Sequence, residues 1–493
     1  MDIEEPKTYA IPFISYDQKE GFQLNKQAEE YLRSLPENRK IGVISIVGKY
    51  RTGKSFFVNR VLLNNQKDGF QVGPTVNPCT KGLWLWRKEL KSSEDENMDI
   101  LLIDTEGFGG MDENVNHDSR IFLFSLLLSS YFIYNSQGSI DENALNNLSL
   151  IINLAKDIQI KSKSNQNEDP AEYFPSFLWV VRDFVLQIVD SKGNKLTQKE
   201  YLEKALELQK GVSDHVESKN KIRRQLKHFF KDRDCETLIR PVEQERDLQN
   251  LNKIKNEYLR PEFVEQINLL RQKIFKKIKP KMLCGRHLNG MMLLEVCRSY
   301  IESINKGSLP NIENAWTYVK KNEGQRAFQK SIEQMENIIQ QAKKKLVDPN
   351  KIHELRESMK LEMHKILKKN AIGEEEDYQE YYAKIDDKLN ESILEFKKEN
   401  KYQWKKNTRK FQKSGQRRQK ENLEMNNMKI SQISKKILIN IKPILKIKYH
   451  KKILMERNSS FKFQKNCIKM RLRKSLENKK EININKFNNQ KNF

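Results

Sequence analysis

Residues 41–57 read Ile41-Gly42-Val43-Ile44-Ser45-Ile46-Val47-Gly48-Lys49-Tyr50-Arg51-Thr52-Gly53-Lys54-Ser55-Phe56-Phe57. Ile41–Val47 is an apolar, β-branched run, which predicts a buried strand. Gly48-x4-Gly53-Lys54-Ser55 then has the spacing of a phosphate-binding loop, and Ser55–Leu63 continues with the apolar spacing of a helix. Strand, glycine loop and helix form the order in which a backbone can cradle an anion. The glycines let N–H groups curl around a phosphate, Lys54 supplies a cation, and the Ser55 hydroxyl is suited to Mg²⁺. The helix that follows aims its positive N-terminus at the same point.

Three further segments extend this unit. Asp99–Asp104 predicts a second strand ending on an acid and running into Thr105-Glu106-Gly107. A strand-end Asp can hold a nucleotide-bound Mg²⁺ through water, and Gly107 permits close backbone approach to a γ-phosphate. Phe177–Val181 predicts a third strand ending on Arg182-Asp183, and Thr237–Ile239 a fourth. Helical patterns at Asp118–Tyr134 and Glu142–Ile158 lie between them. Strands alternating with helices imply an α/β P-loop domain, a mostly parallel sheet with helices on both faces, with ligands at the carboxyl ends of the strands. Asp183 stands at such an end, where a carboxylate can accept from the N1 and N2 donors of guanine. The more usual Asn-Lys-x-Asp guanine motif is absent from that position. Thr80, in Asn77-Pro78-Cys79-Thr80-Lys81-Gly82, offers a hydroxyl to complete a Mg²⁺ shell and sense the γ-phosphate. Arg51 lies inside the glycine loop, where an arginine can stabilise charge developing between β- and γ-phosphates. The same position also suits a side chain that faces solvent or pairs with an acid.

The chain has 493 residues and a net charge of +25. Residues 401–493 hold 28 Lys and Arg against 5 Asp and Glu, whereas residues 1–400 hold 63 against 61. The basic excess belongs to the tail, so the body has no charge support for nucleic-acid binding. Cys79, Cys235, Cys284, Cys297 and Cys467 show no paired spacing, which points to a reduced, cytoplasmic protein. The acidic start Met1–Glu5 leads into no apolar run and is not read as a secretory signal. The longest apolar stretch, Ile121–Tyr134, is broken by Ser125, Ser129 and Ser130, and is shorter than the about 20 residues that cross a bilayer. It is read as a buried helix.

From Asn311 to Lys410 the pattern is helical throughout, with breaks expected at Val347–Asn350 and Ala371–Gly373. Residues 411–493 are rich in Lys, Asn and Ile. They read either as a basic amphipathic or disordered tail able to touch anionic lipid, or as translated intron or shifted frame. The expected organisation is an N-terminal extension at 1–35, a large GTPase domain at 36–310, an all-α helical domain at 311–410 and the basic tail at 411–493.

Taken together, Gly-x-Tyr-Arg-Thr-Gly-Lys-Ser, Asp-Thr-Glu-Gly and the strand-end Arg-Asp resemble the guanylate-binding protein family, large GTPases related to dynamins and atlastins. Supporting stretches are Thr80-Lys81-Gly82-x-Trp84-x-Trp86, Leu127–Gly138, Arg240-Pro241-Val242 and Gly307-x-Leu309-Pro310-x-Ile312-Glu313-Asn314-Ala315. The similarity covers about residues 10–400. It implies a nucleotide site made by Gly48, Lys49, Tyr50, Arg51, Thr52, Gly53, Lys54, Ser55, Phe56, Asp104, Gly107, Arg182 and Asp183. It implies Mg²⁺ held by Ser55, Thr80 and Asp104, and catalysis by Arg51, Lys54, Thr80 and Glu106. Arg51 would act as an internal arginine finger when two GTPase domains meet face to face, giving a homodimer and larger assemblies. GTP would be hydrolysed to GDP, with GMP a further product in some members. Pro78 departs from the family, which often places a Ser near the attacking water, and so favours a rival reading, a GTP-switched, self-assembling scaffold with negligible turnover; a third reading is a membrane-remodelling GTPase whose basic tail binds anionic lipid. The helical region is short, and the family's lipid attachment site is not found.

Overall fold

The computed structural model describes residues 9–64, 69–72, 81–109, 115–148, 173–211, 213–251, 253–414, 427 and 430–431. The chain divides into two compact units, Met1–Glu323 and Gly324–Phe493.

The first unit is built on an eight-stranded sheet. Its strands are β1 (Ala10–Asp17), β2 (Gly21–Leu24), β3 (Lys40–Gly48), β4 (Leu83–Trp86), β5 (Met98–Thr105), β6 (Tyr131–Gln137), β7 (Ser176–Arg182) and β8 (Arg233–Leu238). They lie in the order β2-β1-β4-β5-β3-β6-β7-β8. The run β5-β3-β6-β7-β8 is parallel, with Ile46 opposite both Asp104 and Ile133. β1, β2 and β4 add an antiparallel wing. Residues Ile41–Gly48 and all of β5 are buried, as strands covered on both faces must be. The sheet is flanked by α1 (Lys26–Ser34), α2 (Lys54–Phe57), α3 (Val115–Leu128), α4 (Gln198–Ala205), α5 (Asp214–Phe229), α6 (Pro261–Lys277) and α7 (Gly290–Asn305). Their starts follow local rules: Thr197 and Glu200 form a capping box, Ser213 caps α5, and Pro261 opens α6 where its missing N–H costs nothing. Among the described residues, no helix is long and apolar enough to cross a membrane.

Three expectations change. The helix expected through Tyr134 ends at Leu128, and Tyr131–Gln137 is a central strand between β3 and β7. An apolar run buried on every side has no period that separates strand from helix, and the aromatic and β-branched Tyr131-Phe132-Ile133-Tyr134 favours extension. The helix expected over Ser55–Leu63 is α-helical only to Phe57, after which Val58–Leu62 forms a π turn. The Glu142–Ile158 pattern lies largely outside the described residues, although residues 142–148 are helical. Strands β1 and β2 show that residues set apart as an N-terminal extension pair within the main sheet.

The helix α8 (Ile312–Lys345) is followed by α9 (Ile352–Asn370) and α10 (Glu375–Ser414), with interruptions near both expected breaks. In the second unit, Ala327, Met335, Met359, Met363, Leu367, Ile385, Leu389 and Phe396 form the core. Buried Asn400 closes the first break: its amide donates to Val347 O at 2.6 Å and its carbonyl accepts from Val347 N–H at 3.1 Å. Within α8, Gly324 makes room for α10, since a Cβ would lie 2.8 Å from the Tyr381 ring.

Candidate nucleotide-binding site

The candidate residues gather at the carboxyl ends of β3, β5 and β7. The loop after β3 is zipped to the segment after β5, with Tyr50 N–H donating to Phe108 O at 3.0 Å and Phe108 N–H to Gly48 O at 3.4 Å. This contact leaves no room for side chains at two glycines. A Cβ on Gly107 would stand 2.4 Å from Tyr50 Cα and 2.7 Å from Lys54 Nζ, and one on Gly48 would stand 2.1 Å from Asn135 O. Gly53, at φ 74°, turns the chain into α2 with its N-terminal N–H groups facing the loop. The loop is braced from inside: Thr52 Oγ1 donates to Lys49 O at 2.8 Å, and Lys54 Nζ donates to the same carbonyl at 3.2 Å. Lys54 is buried although it carries a charge.

Ser55 Oγ donates to Asp104 Oδ2 at 2.5 Å, so hydroxyl and carboxylate meet where the phosphate loop faces the second strand end. Asp104 is wholly buried. These are hard oxygen donors, the chemistry that suits Mg²⁺. Thr80 and Pro78 lie outside the described residues. Glu106 is nearly buried: Gly82 N–H donates to its Oε2 at 2.7 Å, its own N–H donates to Gly82 O at 2.9 Å, and His117 Nε2 stands 3.4 Å from the carboxylate.

At the end of β7 the two neighbours part. Arg182 is buried, with its guanidinium carbon 5.7 Å from the Phe56 ring centroid and Nη1 3.7 Å from where a Gly53 Cβ would be. Among the described residues its Nε and Nη1 meet no hydrogen-bond acceptor. Burial pulls its pKa below the usual arginine value, opposed by the adjacent Asp183. Asp183 adopts a left-handed φ of 56°, uncommon for a residue with a side chain, and is half-buried, with its Oδ2 accepting from Gln137 Nε2 at 3.2 Å. Phe184, Ile239, Arg240 and Arg260 then line a cavity of about 450 Å³. Arg51 is exposed, holds φ 68° and lies over the Tyr50 ring at 5.2 Å. A positive φ at a non-glycine residue inside the loop is local strain of the kind that collects at functional sites.

Several participants escape a motif reading. Asn135, fully buried at the end of β6, donates from Nδ2 to Thr52 O at 2.9 Å and so anchors the loop from the neighbouring strand. Gln137, Phe108 and His117 likewise enter through the fold. Asn135 alone left a signal, as a polar residue ending an apolar strand-like run.

A family model described as guanylate-binding protein, N-terminal domain, matches residues 19–283, and one described as guanylate-binding protein, C-terminal domain, matches residues 284–415. Human guanylate-binding protein 1 is 38% identical over 308 residues, covering 61% of this chain and 51% of that protein. Human guanylate-binding protein 4 is 36% identical over 322 residues, covering 64% and 49%. Human guanylate-binding protein 6 is 34% identical over 375 residues, covering 75% and 57%. The chain therefore spans about half the length of the curated relatives it matches. With a phosphate loop closed against Asp104, Arg182-Asp183 at the next strand end and both family domains matched in order, the chain belongs to the guanylate-binding protein family.

Proposed function

We propose that the protein binds GTP with Mg²⁺ and hydrolyses it to GDP. The observation that carries this reading is the Gly48–Ser55 loop, set between β3 and α2 and tied to Asp104 through Ser55. The loop N–H groups and Lys54 hold the β- and γ-phosphates, and Asp183 accepts from guanine. Ser55, Asp104 and Thr80 are the residues for Mg²⁺, which when bound neutralises phosphate charge. Glu106, fixed by Gly82, orients the attacking water. Arg51 supplies the remaining cation when two GTPase domains meet; its exposure and strained φ support a side chain that moves on association. Catalysis on this account is positioning and charge stabilisation, with little covalent work for the protein.

Purified protein with labelled GTP or ATP in Mg²⁺ tests the binding claim: saturable uptake of GTP with weak uptake of ATP is expected, and no uptake or equal uptake overturns it. Phosphate release at several protein concentrations tests the finger. Arg51→Ala is expected to bind GTP normally and to lose the rise in turnover with concentration. Retention of that rise removes Arg51 from the role. Product analysis decides between GDP and GMP. Pro78 favours the second reading, a GTP-switched scaffold, whose signature is GTP uptake with turnover that stays flat as concentration rises.

A further inference from the structure

Arg60 lies in the π turn Val58–Leu62 and is 4% exposed. Its Nη1 donates to Asn256 Oδ1 at 2.8 Å, and its Nη2 donates to Leu251 O at 2.8 Å and to Ile254 O. These acceptors are 191 to 196 residues away, in the loop 242–259. That loop is closed at its ends, where Arg260 N–H donates to Pro241 O at 2.9 Å. Among the described residues no carboxylate pairs with Arg60, and burial lowers its pKa from the usual arginine value. A desolvated charge is held here by neutral oxygens alone. These three charge-assisted hydrogen bonds tie the middle of the loop to the π turn, beside the packing of Leu248, Leu251 and Ile254 on the core.

The other end of the same contact reaches the nucleotide site. Phe56, on α2 directly after Ser55, has the Arg60 guanidinium carbon 5.7 Å from its ring centroid and that of Arg182 at the same distance. Phe263, at the start of α6, stacks on the ring at 6.4 Å. The wide π turn is what makes this reachable: with Leu63 N–H donating to Val58 O at 2.9 Å, one extra residue enters the turn that carries Arg60. The flanks of the loop, Arg240 and Arg260, line the cavity that begins at Phe184, next to Asp183.

We infer that Arg60 is a positioning residue coupling the phosphate loop to the loop 242–259, so that a nucleoside di- or triphosphate seated on α2 orders that loop, and the ordered loop slows release of the nucleotide. This rests on the GTP-binding reading above. An anion on the N-terminus of α2 fixes Phe56 and Arg60 with it, and Arg60 carries that restraint to three points of the loop.

Hydrogen–deuterium exchange on the full chain, alone and with GDP or a non-hydrolysable GTP analogue and Mg²⁺, tests the coupling. In the unaltered protein, residues 242–259 exchange about tenfold more slowly with nucleotide; in Arg60→Met this dependence is lost while β5 keeps its slow exchange. Release of labelled GDP is about tenfold faster in Arg60→Met and partly restored in Arg60→Lys, with single-turnover hydrolysis of bound GTP within about twofold of the parent. The inference is overturned if the loop exchanges equally with and without nucleotide in the unaltered protein, if Arg60→Met keeps the parental dependence, or if loop and β5 lose protection together. Absence of GTP uptake by the unaltered protein instead brings down the binding reading on which it rests.

Discussion

The first unit buries two lysines at opposite ends of β3, and they do opposite things. Lys54 follows the carboxyl end and is 7% exposed; Lys281, whose N–H donates to Ile41 O at the amino end, is 5% exposed. Lys281 Nζ donates to Ser129 O at 2.8 Å, just past the C-terminus of α3 where carbonyls collect negative potential. Burial still pushes its pKa down to about 7. Lys54 lies instead at the N-terminus of α2, where its Nζ donates to Lys49 O at 3.2 Å and the N–H groups of the helix end add positive potential that favours an incoming anion. Burial of a charge is thus no mark of a binding site; the sign of the dipoles around it is.

Removing each lysine separates the two cases. The largest effect is expected for Lys54→Ala, which weakens GTP binding by about 3–5 kcal/mol, on the order of a thousandfold, in titration with labelled nucleotide. Its thermal stability without nucleotide should match or exceed the parent's, since a buried charge goes with the side chain. A fully retained GTP affinity would break the comparison.

Asp183→Asn sharpens it at the other end of the ligand. Loss of a charged acceptor for guanine should reduce the preference for GTP over ATP about ten- to hundredfold, with the affinity for inorganic pyrophosphate unchanged. An unchanged GTP-to-ATP ratio would remove Asp183 from base recognition.

Lys281→Met should leave nucleotide affinity alone and alter the pH profile of stability. The folded-state pKa of Lys281, about 7, lies below the ordinary lysine value of 10.5, so between the two the unfolded chain binds a proton that the folded chain does not. The contribution of this residue to stability therefore rises with pH across that window, by about 2 kcal/mol between pH 7 and 9. Thermal melts of parent and variant at both pH values should show the parent gaining on the variant as pH rises; parallel profiles would place the folded pKa elsewhere.

How much could be read beforehand follows how local each interaction is. Gly48, Gly53, Lys54 and Ser55 lie within one eight-residue loop, and their backbone chemistry is written in residue type and spacing. Strands β5 and β7 announced themselves as apolar runs ending on Asp104 and Arg182-Asp183. β1, β2 and β4 did not, because the strands of this antiparallel wing are defined by their partners, as when Ile11 pairs with Leu85. Tyr131–Tyr134 reads as the end of a helix in sequence because complete burial erases the period that tells helix from strand.

By itself the sequence determined the phosphate loop, the order of the strand ends that face it and the two helical breaks near residues 347 and 372, since each depends on steric and hydrogen-bonding rules within a few neighbours. Tertiary structure alone decided that Asn135 braces the loop, that His117 faces Glu106, and that Arg60 reaches Leu251, Ile254 and Asn256. Those contacts join residues from 11 to 196 positions apart, and no local pattern encodes which distant carbonyl a buried donor will meet once the sheet has closed around it.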